Sequence, residues 1–376
     1  MTPVSFYRAD AYDVEALRKI VDQIVQDHGG YDALFSKGKK TVIKPNLVVK
    51  KKPDGCATVH PAFLEAVILA ISPYTDDITV AECPGGPNTE PLLNGIYRET
   101  GILEVCKKYG IPIQMKMEPV KTLSVPEPLS AGTVDVLSVF CEADVLINLA
   151  KMKTHSLTTV TGCAKNLYGT IPGLRKIEYH AAYPHISAFS GLIVDLNRVL
   201  APTLSLLDGI WGMEKDGPSG GDPKFGGTVL GGKSTFAIDY VMCQRMGIDP
   251  ALSPILEHAK KAGLFDGSVQ VLGDDPTRDL PEPFLLPDSQ KFNILRDLPK
   301  IFGGKFGRLL SPHPKINRKV CIGCGECASL CPRKTIVMEN KKARIIQKGC
   351  IRCWCCQEMC PKKAVETKSF GLLRWM

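Results

Sequence analysis

The chain has 376 residues, 44% hydrophobic and 23% charged, with a net charge of +8. That length suits a large domain plus a small one, and the composition excludes a disordered or fibrous protein. No apolar run is long enough for a membrane helix, and Met1 to Asp10 lacks the basic start and apolar core of a secretory leader. The fifteen cysteines are therefore expected in a reducing, cytoplasmic setting, as cluster ligands and buried thiols rather than disulfides.

Through about residue 285 the pattern alternates between helix and strand. Asp13 to Val25 carries apolar residues at helical spacing, and Lys40 to Val49 is a β-rich run. Pro61 to Ile71 predicts a helix with proline in its first turn. Ile78 to Glu82 predicts a short strand that ends in Cys83-Pro84-Gly85-Gly86, and Asn94 to Tyr109 a helix. Ala143 to Leu149 reads as an apolar strand, Phe189 to Leu200 as a helix, Leu204 to Leu207 as a buried strand and Thr235 to Met246 as a last strong helix. Wholly apolar strands separated by helices predict an α/β fold, a mostly parallel sheet with helices on both faces.

In such sheets ligands bind beyond the carboxyl ends of the strands, and polar residues gather there. Lys44 and Asn46 follow the first of these strands. Glu82 follows the second, Lys151, Lys153 and His155 the third, and Asp208 and Trp211 the fourth. Between the last two lies a basic, amide-bearing loop, Thr161 to Gly173, with Lys165, Asn166 and Gly169. One reading is a solvated strand edge. The other is an anion pocket, with Lys44, Lys153 and Lys165 as point charges, Asn46, Asn166 and Gly169 as binding groups, and His155 as proton donor. His180 and His185 bracket a lid-like segment, without the spacing of a metal motif. Gly227 to Ser234 matches the P-loop expression letter for letter, yet Thr228-Val229-Leu230 is itself strand-like, and a P-loop follows its strand.

From Pro281 to Pro314 the pattern breaks up, with a few apolar residues (Phe302, Phe306, Leu309, Leu310). A body over 1–285, a linker over 286–314 and a ferredoxin domain over 315–368 are expected. The last rests on two copies of one pattern, Cys321-x2-Cys324-x2-Cys327-x3-Cys331-Pro332 and Cys350-x2-Cys353-x2-Cys356-x3-Cys360-Pro361. This is the spacing of a small α+β, ferredoxin-like domain holding two [4Fe–4S] clusters, in which the fourth cysteine of each run ligates the other cluster. One cluster then takes Cys321, Cys324, Cys327 and Cys360, and the other Cys350, Cys353, Cys356 and Cys331. Cys355 falls off register and is left as a non-ligand. A zinc module is the alternative, though zinc sites need no such doubled run.

From Pro312 onward there are 14 Lys/Arg against 4 Glu, a net of +10, so the remainder is near neutral. Such a tail suits dianionic clusters and an acidic redox partner protein. Nucleic acid is not expected as a partner, because only Trp354, Phe370 and Trp375 supply aromatic surface there.

The segments Lys44-Pro45-Asn46-Leu47, Ile147 to His155, Lys165 to Gly169 with Ile171-Pro172-Gly173, and Asp208-Gly209-Ile210 resemble the domain-of-unknown-function 362 family. Its members often carry a C-terminal two-cluster ferredoxin. Glu82-Cys83-Pro84 stands where members usually show an acidic-Ser-Pro turn. The resemblance implies an iron–sulfur protein of anaerobic or redox metabolism and names no reaction. Two functions are weighed: an oxidoreductase passing low-potential electrons to a small anionic substrate on the body, and an electron-transfer or binding protein without catalysis of its own.

Overall fold

The computed structural model describes residues 1–290 and 311–368. Phe302, Phe306, Leu309, Leu310, Phe370 and Trp375 lie outside them. The body strands are β1 (Thr2–Arg8), β2 (Lys40–Pro45), β3 (Asp77–Val80), β4 (Val120–Ser124), β5 (Thr133–Leu137), β6 (Val145–His155), β7 (Thr159–Thr161), β8 (Leu204–Glu214), β9 (Asp222–Gly232) and β10 (Val269–Gly273). One eight-stranded sheet runs in the order β10-β1-β9-β8-β6-β2-β3, with β7 against the end of β6. Only β9 and β7 run against their neighbours, so the sheet is mostly parallel. β4 and β5 form a separate hairpin.

Successive residues of each strand point to opposite faces, and both faces are covered. Ile43, Ile147 and Leu206 join the core under the helices Val14–Asp27, Pro61–Ile71 and Glu90–Glu99. Their neighbours Val42, Leu146 and Leu207 join the core under Ile186–Leu200, Thr235–Arg245 and Pro254–Lys261. Sequence sets where these helices begin. Asp13 accepts the amide of Ala16 at 2.7 Å, and Ser234 accepts that of Ala237 at 3.3 Å.

Several elements depart from the sequence reading. Asn94 to Tyr109 is two helices, Glu90–Glu99 and Ile102–Lys108, parted at Gly101, whose φ of 76° a helix cannot hold. β6 does not stop at Leu149 but continues to His155, because Lys151, Lys153 and His155 are buried and paired with protein groups. β8 likewise runs to Glu214. Gly227 to Gly232 is part of β9, with neighbours on both sides. That backbone is committed to the sheet and cannot cradle phosphates as a P-loop does.

The C-terminal module holds β11 (His313–Ile316), β12 (Ile336–Glu339), β13 (Lys342–Ile345) and β14 (Val365–Lys368), paired as β11 with β14 and β12 with β13. Two one-turn helices, Glu326–Ser329 and Cys355–Glu358, each carry the third cysteine of a run. The expected linker is partly structured: Gln290 Nε2 donates to the Ser156 carbonyl at 2.7 Å, and the segment ends in β11. The module sits on the overhanging ends of β6 and β8. Ser156 Oγ donates to Gln357 Oε1 at 2.8 Å, Lys363 Nζ donates to the Gly221 carbonyl at 2.9 Å, and Ser219 Oγ bonds the Glu358 carbonyl. Trp354 is buried in the same core as the body helices, so it offers no surface to a nucleic acid.

Candidate active site and iron–sulfur centre

The eight motif cysteines surround two small cavities, each lined by three cysteines of one run and the fourth of the other. Cys321, Cys324, Cys327 and Cys360 line one of about 370 Å³ with its open mouth. Cys350, Cys353, Cys356 and Cys331 line the other, of about 330 Å³ counted the same way. Apolar residues such as Ile316, Ile336 and Ile345 complete the walls. Among the described residues no three ligand-type side chains converge on one point as a single zinc ion would need; the thiols ring a volume instead, which fits a cubane. Backbone amides already point at the sulfurs: Thr335 N at Cys331 (3.3 Å), Arg352 N at Cys350 (3.4 Å) and Ala364 N at Cys360 (3.2 Å). Such donors stabilise thiolate ligands. Cys355 lines neither cavity.

A larger cavity, about 840 Å³ with its open mouth, lies between body and module. Asn46, Glu82, Lys153, Lys165, Asn166 and Gly169 come to its wall from the body's strand ends and loop. Lys176, Ile177 and His180 come from the helix Arg175–Ala182, which overlaps only the first part of the lid-like segment 180–185. Leu330, Cys355, Glu358 and Met359 come from the module.

Behind this wall runs a buried polar network. Lys44 Nζ bonds the Glu82 carboxylate and donates to Asn166 Oδ1 at 3.2 Å. Asn46 Nδ2 donates to the same oxygen at 3.0 Å, and Asn46 Oδ1 accepts from Lys153 Nζ at 2.6 Å. Lys153 Nζ also donates to the Ala57 carbonyl at 2.7 Å. Asn166 is held in turn by Asn148 Oδ1 (2.8 Å) and the Leu149 carbonyl (3.2 Å). Gly169 is required where this network meets the loop. A Cβ there would overlap Glu82 Oε1 and lie 2.6 Å from Lys44 Nζ.

The candidate residues thus divide. Lys165, Lys153, Asn46, Asn166 and Gly169 reach the cavity. Lys44 does not, because Glu82 and Asn166 occupy its ammonium. His155 does not either. It is fully buried, and its Nδ1 accepts the amides of Leu157 (3.0 Å) and Thr158 (3.3 Å). Burial, with Lys165 and Lys153 nearby, holds its pKa well below the usual range. The neutral ring therefore carries its proton on Nε2, 3.4 Å from Glu358 Oε1. Burial also drives Lys153 far down, with Lys165 and Lys151 adding to the effect. The loop's first amides serve structure rather than an anion, for Asp239 accepts those of Cys163 (2.6 Å) and Ala164 (3.0 Å). Lys151 and Asp208 pair at 2.7 Å, apart from the cavity wall.

Sequence reasoning did not single out Lys176 or Glu358. Lys176 bonds the Cys83 carbonyl, and burial lowers its pKa to about 8. Glu358 was hidden inside a cysteine run. His180 stacks on Phe189 with centroids 4.5 Å apart. Burial, then Lys165 and Lys176, bring its pKa from 6.5 to about 3. Between those values the unfolded chain binds more protons than the folded one, so stability falls as pH drops from 6.5 toward 3. His180→Phe is expected to remove a slope of up to about 1.4 kcal/mol per pH unit. Urea midpoints at pH 7 and 5.5 measure it, and an unchanged difference between them counts against a neutral His180.

Residues 41–244 match the family model "Domain of unknown function (DUF362)". The chain belongs to the DUF362 family. Residues 313–361 of this DUF362 protein match a 4Fe-4S dicluster domain, so it carries an iron–sulfur ferredoxin domain of the electron-transfer type. It is 28% identical over 262 residues to the Thylakoid-associated protein sll1697 of Synechocystis sp., covering 69% of this chain and 79% of that protein. A solved structure, the lactate racemase apoprotein from Thermoanaerobacterium thermosaccharolyticum, aligns with a TM-score of 0.39 at 11% identity. That alignment covers 65% of this chain, and this chain spans only 57% of the racemase. Among the described residues no helix is long and apolar enough to cross a membrane.

Proposed function

We propose that this DUF362 protein is an iron–sulfur oxidoreductase that reduces a small anionic substrate in the cavity between body and module. One observation carries the reading. Leu330, Cys355 and Met359 on the cavity wall are each next in sequence to a motif cysteine, namely Cys331, Cys356 and Cys360. A substrate there would lie one residue away from ligands of both cysteine sets, while the opposite wall supplies lysines. A carrier without chemistry of its own has no need of such a shared chamber.

Two [4Fe–4S] clusters, held by the crossed cysteine sets, supply one-electron transfer at low potential when bound. The chain's own residues do the rest. Lys165 anchors the anion, while Asn46 and Lys153 line the floor. Lys176, whose amine titrates near the working range, is placed to hold a proton at Nζ. His155 acts on the site only through Glu358. A two-electron reduction takes two electrons from an external low-potential donor protein, together with two protons. The donor's docking face is the exposed one at Cys324, where Val320 and Ile322 are 43% and 56% exposed and Arg318, Lys319 and Lys341 are exposed as well. An acidic protein complements it.

The test is anaerobic. Protein reduced with dithionite is offered a panel of small carboxylates, and reoxidation is followed by the return of visible absorbance. One or more acceptors should reoxidise it, and Lys165→Met should slow that by about 100-fold. Reoxidation at the wild-type rate by every acceptor tried would refute a catalytic cavity.

A further inference from the structure

Two ionisable groups of opposite sign reach the cavity, one from the body and one from the module, and neither Lys165 Nζ nor Glu358 Oε1 has a hydrogen-bond partner among the described residues. Lys165 comes from the body. Its Nζ lies over the Tyr168 ring at 5.7 Å and the Phe189 ring at 6.0 Å. Among the described residues it makes no hydrogen bond and no ion pair, unlike Lys44, Lys153 and Lys176 beside it. Glu358 comes from the module. Its Oε1 is buried without a hydrogen-bond partner, facing His155 Nε2 at 3.4 Å without a formed bond. Lys165 and Glu358 do not pair with each other, though both line the same space. The wall between them is largely apolar: Leu47, Val48, Tyr168, Ile177, Leu330 and Met359.

A buried polar group left without a partner is costly, and the cost falls on any ligand that fails to supply one. A plain carboxylate satisfies Lys165 only. It also brings a second acceptor toward Glu358 and leaves that oxygen as it was. A plain amine or alcohol satisfies Glu358 only. The pair is completed by one molecule that carries an acceptor and a donor a few bonds apart on a small apolar frame. We infer that the cavity is selective for a carboxylate bearing a hydroxyl or amino group, its carboxylate on Lys165 and its donor on Glu358. The inference rests on the cavity being the substrate site and narrows what that site takes. It also gives the module a second part, since the donor-reading residue belongs to the ferredoxin domain and not to the body.

The experiment is equilibrium binding to the full-length, cluster-loaded, oxidised protein by titration calorimetry. The probes are butyrate, 2-hydroxybutyrate and 2-aminobutyrate, which share one frame. At least one donor-bearing acid should bind about tenfold or more tightly than butyrate. Glu358→Met should erase that preference with little change for butyrate, and Lys165→Met should weaken all three. Iron content equal to wild type confirms that each variant keeps its module, and Lys165→Arg, which retains the charge, should restore binding in part. Equal affinity for the three acids, or a preference that survives Glu358→Met, overturns the inference but leaves an anion site in place. Failure of all three to bind, or binding indifferent to Lys165→Met, overturns both the inference and the reading of the cavity beneath it.

Discussion

Lys44→Met is expected to destabilise the body by about 3–5 kcal/mol, the range for breaking a buried ion pair from one side. The side chains of Lys44 and Glu82 are 0% and 4% exposed. Without the ammonium, the Glu82 carboxyl stays enclosed with its main compensating charge gone, and burial already pushes its pKa up against the pull of Lys44 and Lys176. Asn166 also loses a donor to its Oδ1. The double variant Lys44→Met/Glu82→Gln removes the orphaned charge and should regain most of the loss. Chemical denaturation of the three proteins decides the matter. A single variant within 1 kcal/mol of wild type would show that Lys176 takes over the carboxylate unaided.

Cys331→Ala is expected to remove about half the iron, four atoms of the eight that two such clusters contain. Cys324→Ala should do the same. The informative protein is the double variant. Cys324 and Cys331 belong to one sequence run but line different cavities, so their joint loss should strip both clusters and leave almost no iron. If both cysteines served one cluster, the double variant would keep the half that each single variant keeps. Iron analysis, with the paramagnetic signal of the reduced protein, separates the outcomes.

The iron–sulfur domain was legible because its cysteine pattern is local: each run of four falls within a dozen residues. The parallel sheet was legible for a similar reason, since nearly continuous apolar runs such as Val145 to Leu149 belong in a sheet covered on both faces. What escaped was polar residues inside strands. Lys151, Lys153 and His155 look like the end of a strand, and only partners such as Asp208, Asn46 and the amides of Leu157 and Thr158 let the backbone continue through them. The cavity was half visible. Lys165 and Asn166 stand on a loop that invites attention, whereas Glu358 lies some two hundred residues beyond His155 and is masked by the cysteines around it. The P-loop match failed on geometry, because a glycine run in a strand keeps its amides for the ladder.

The chamber's far wall is built by the C-terminal module. A freely diffusing ferredoxin could therefore replace that module as a source of reducing power, yet it would leave the room unfurnished on one side. Separating the two parts should thus cost more than an electron route. It should leave a body that folds with a site open to bulk water, unable to tell one small acid from another.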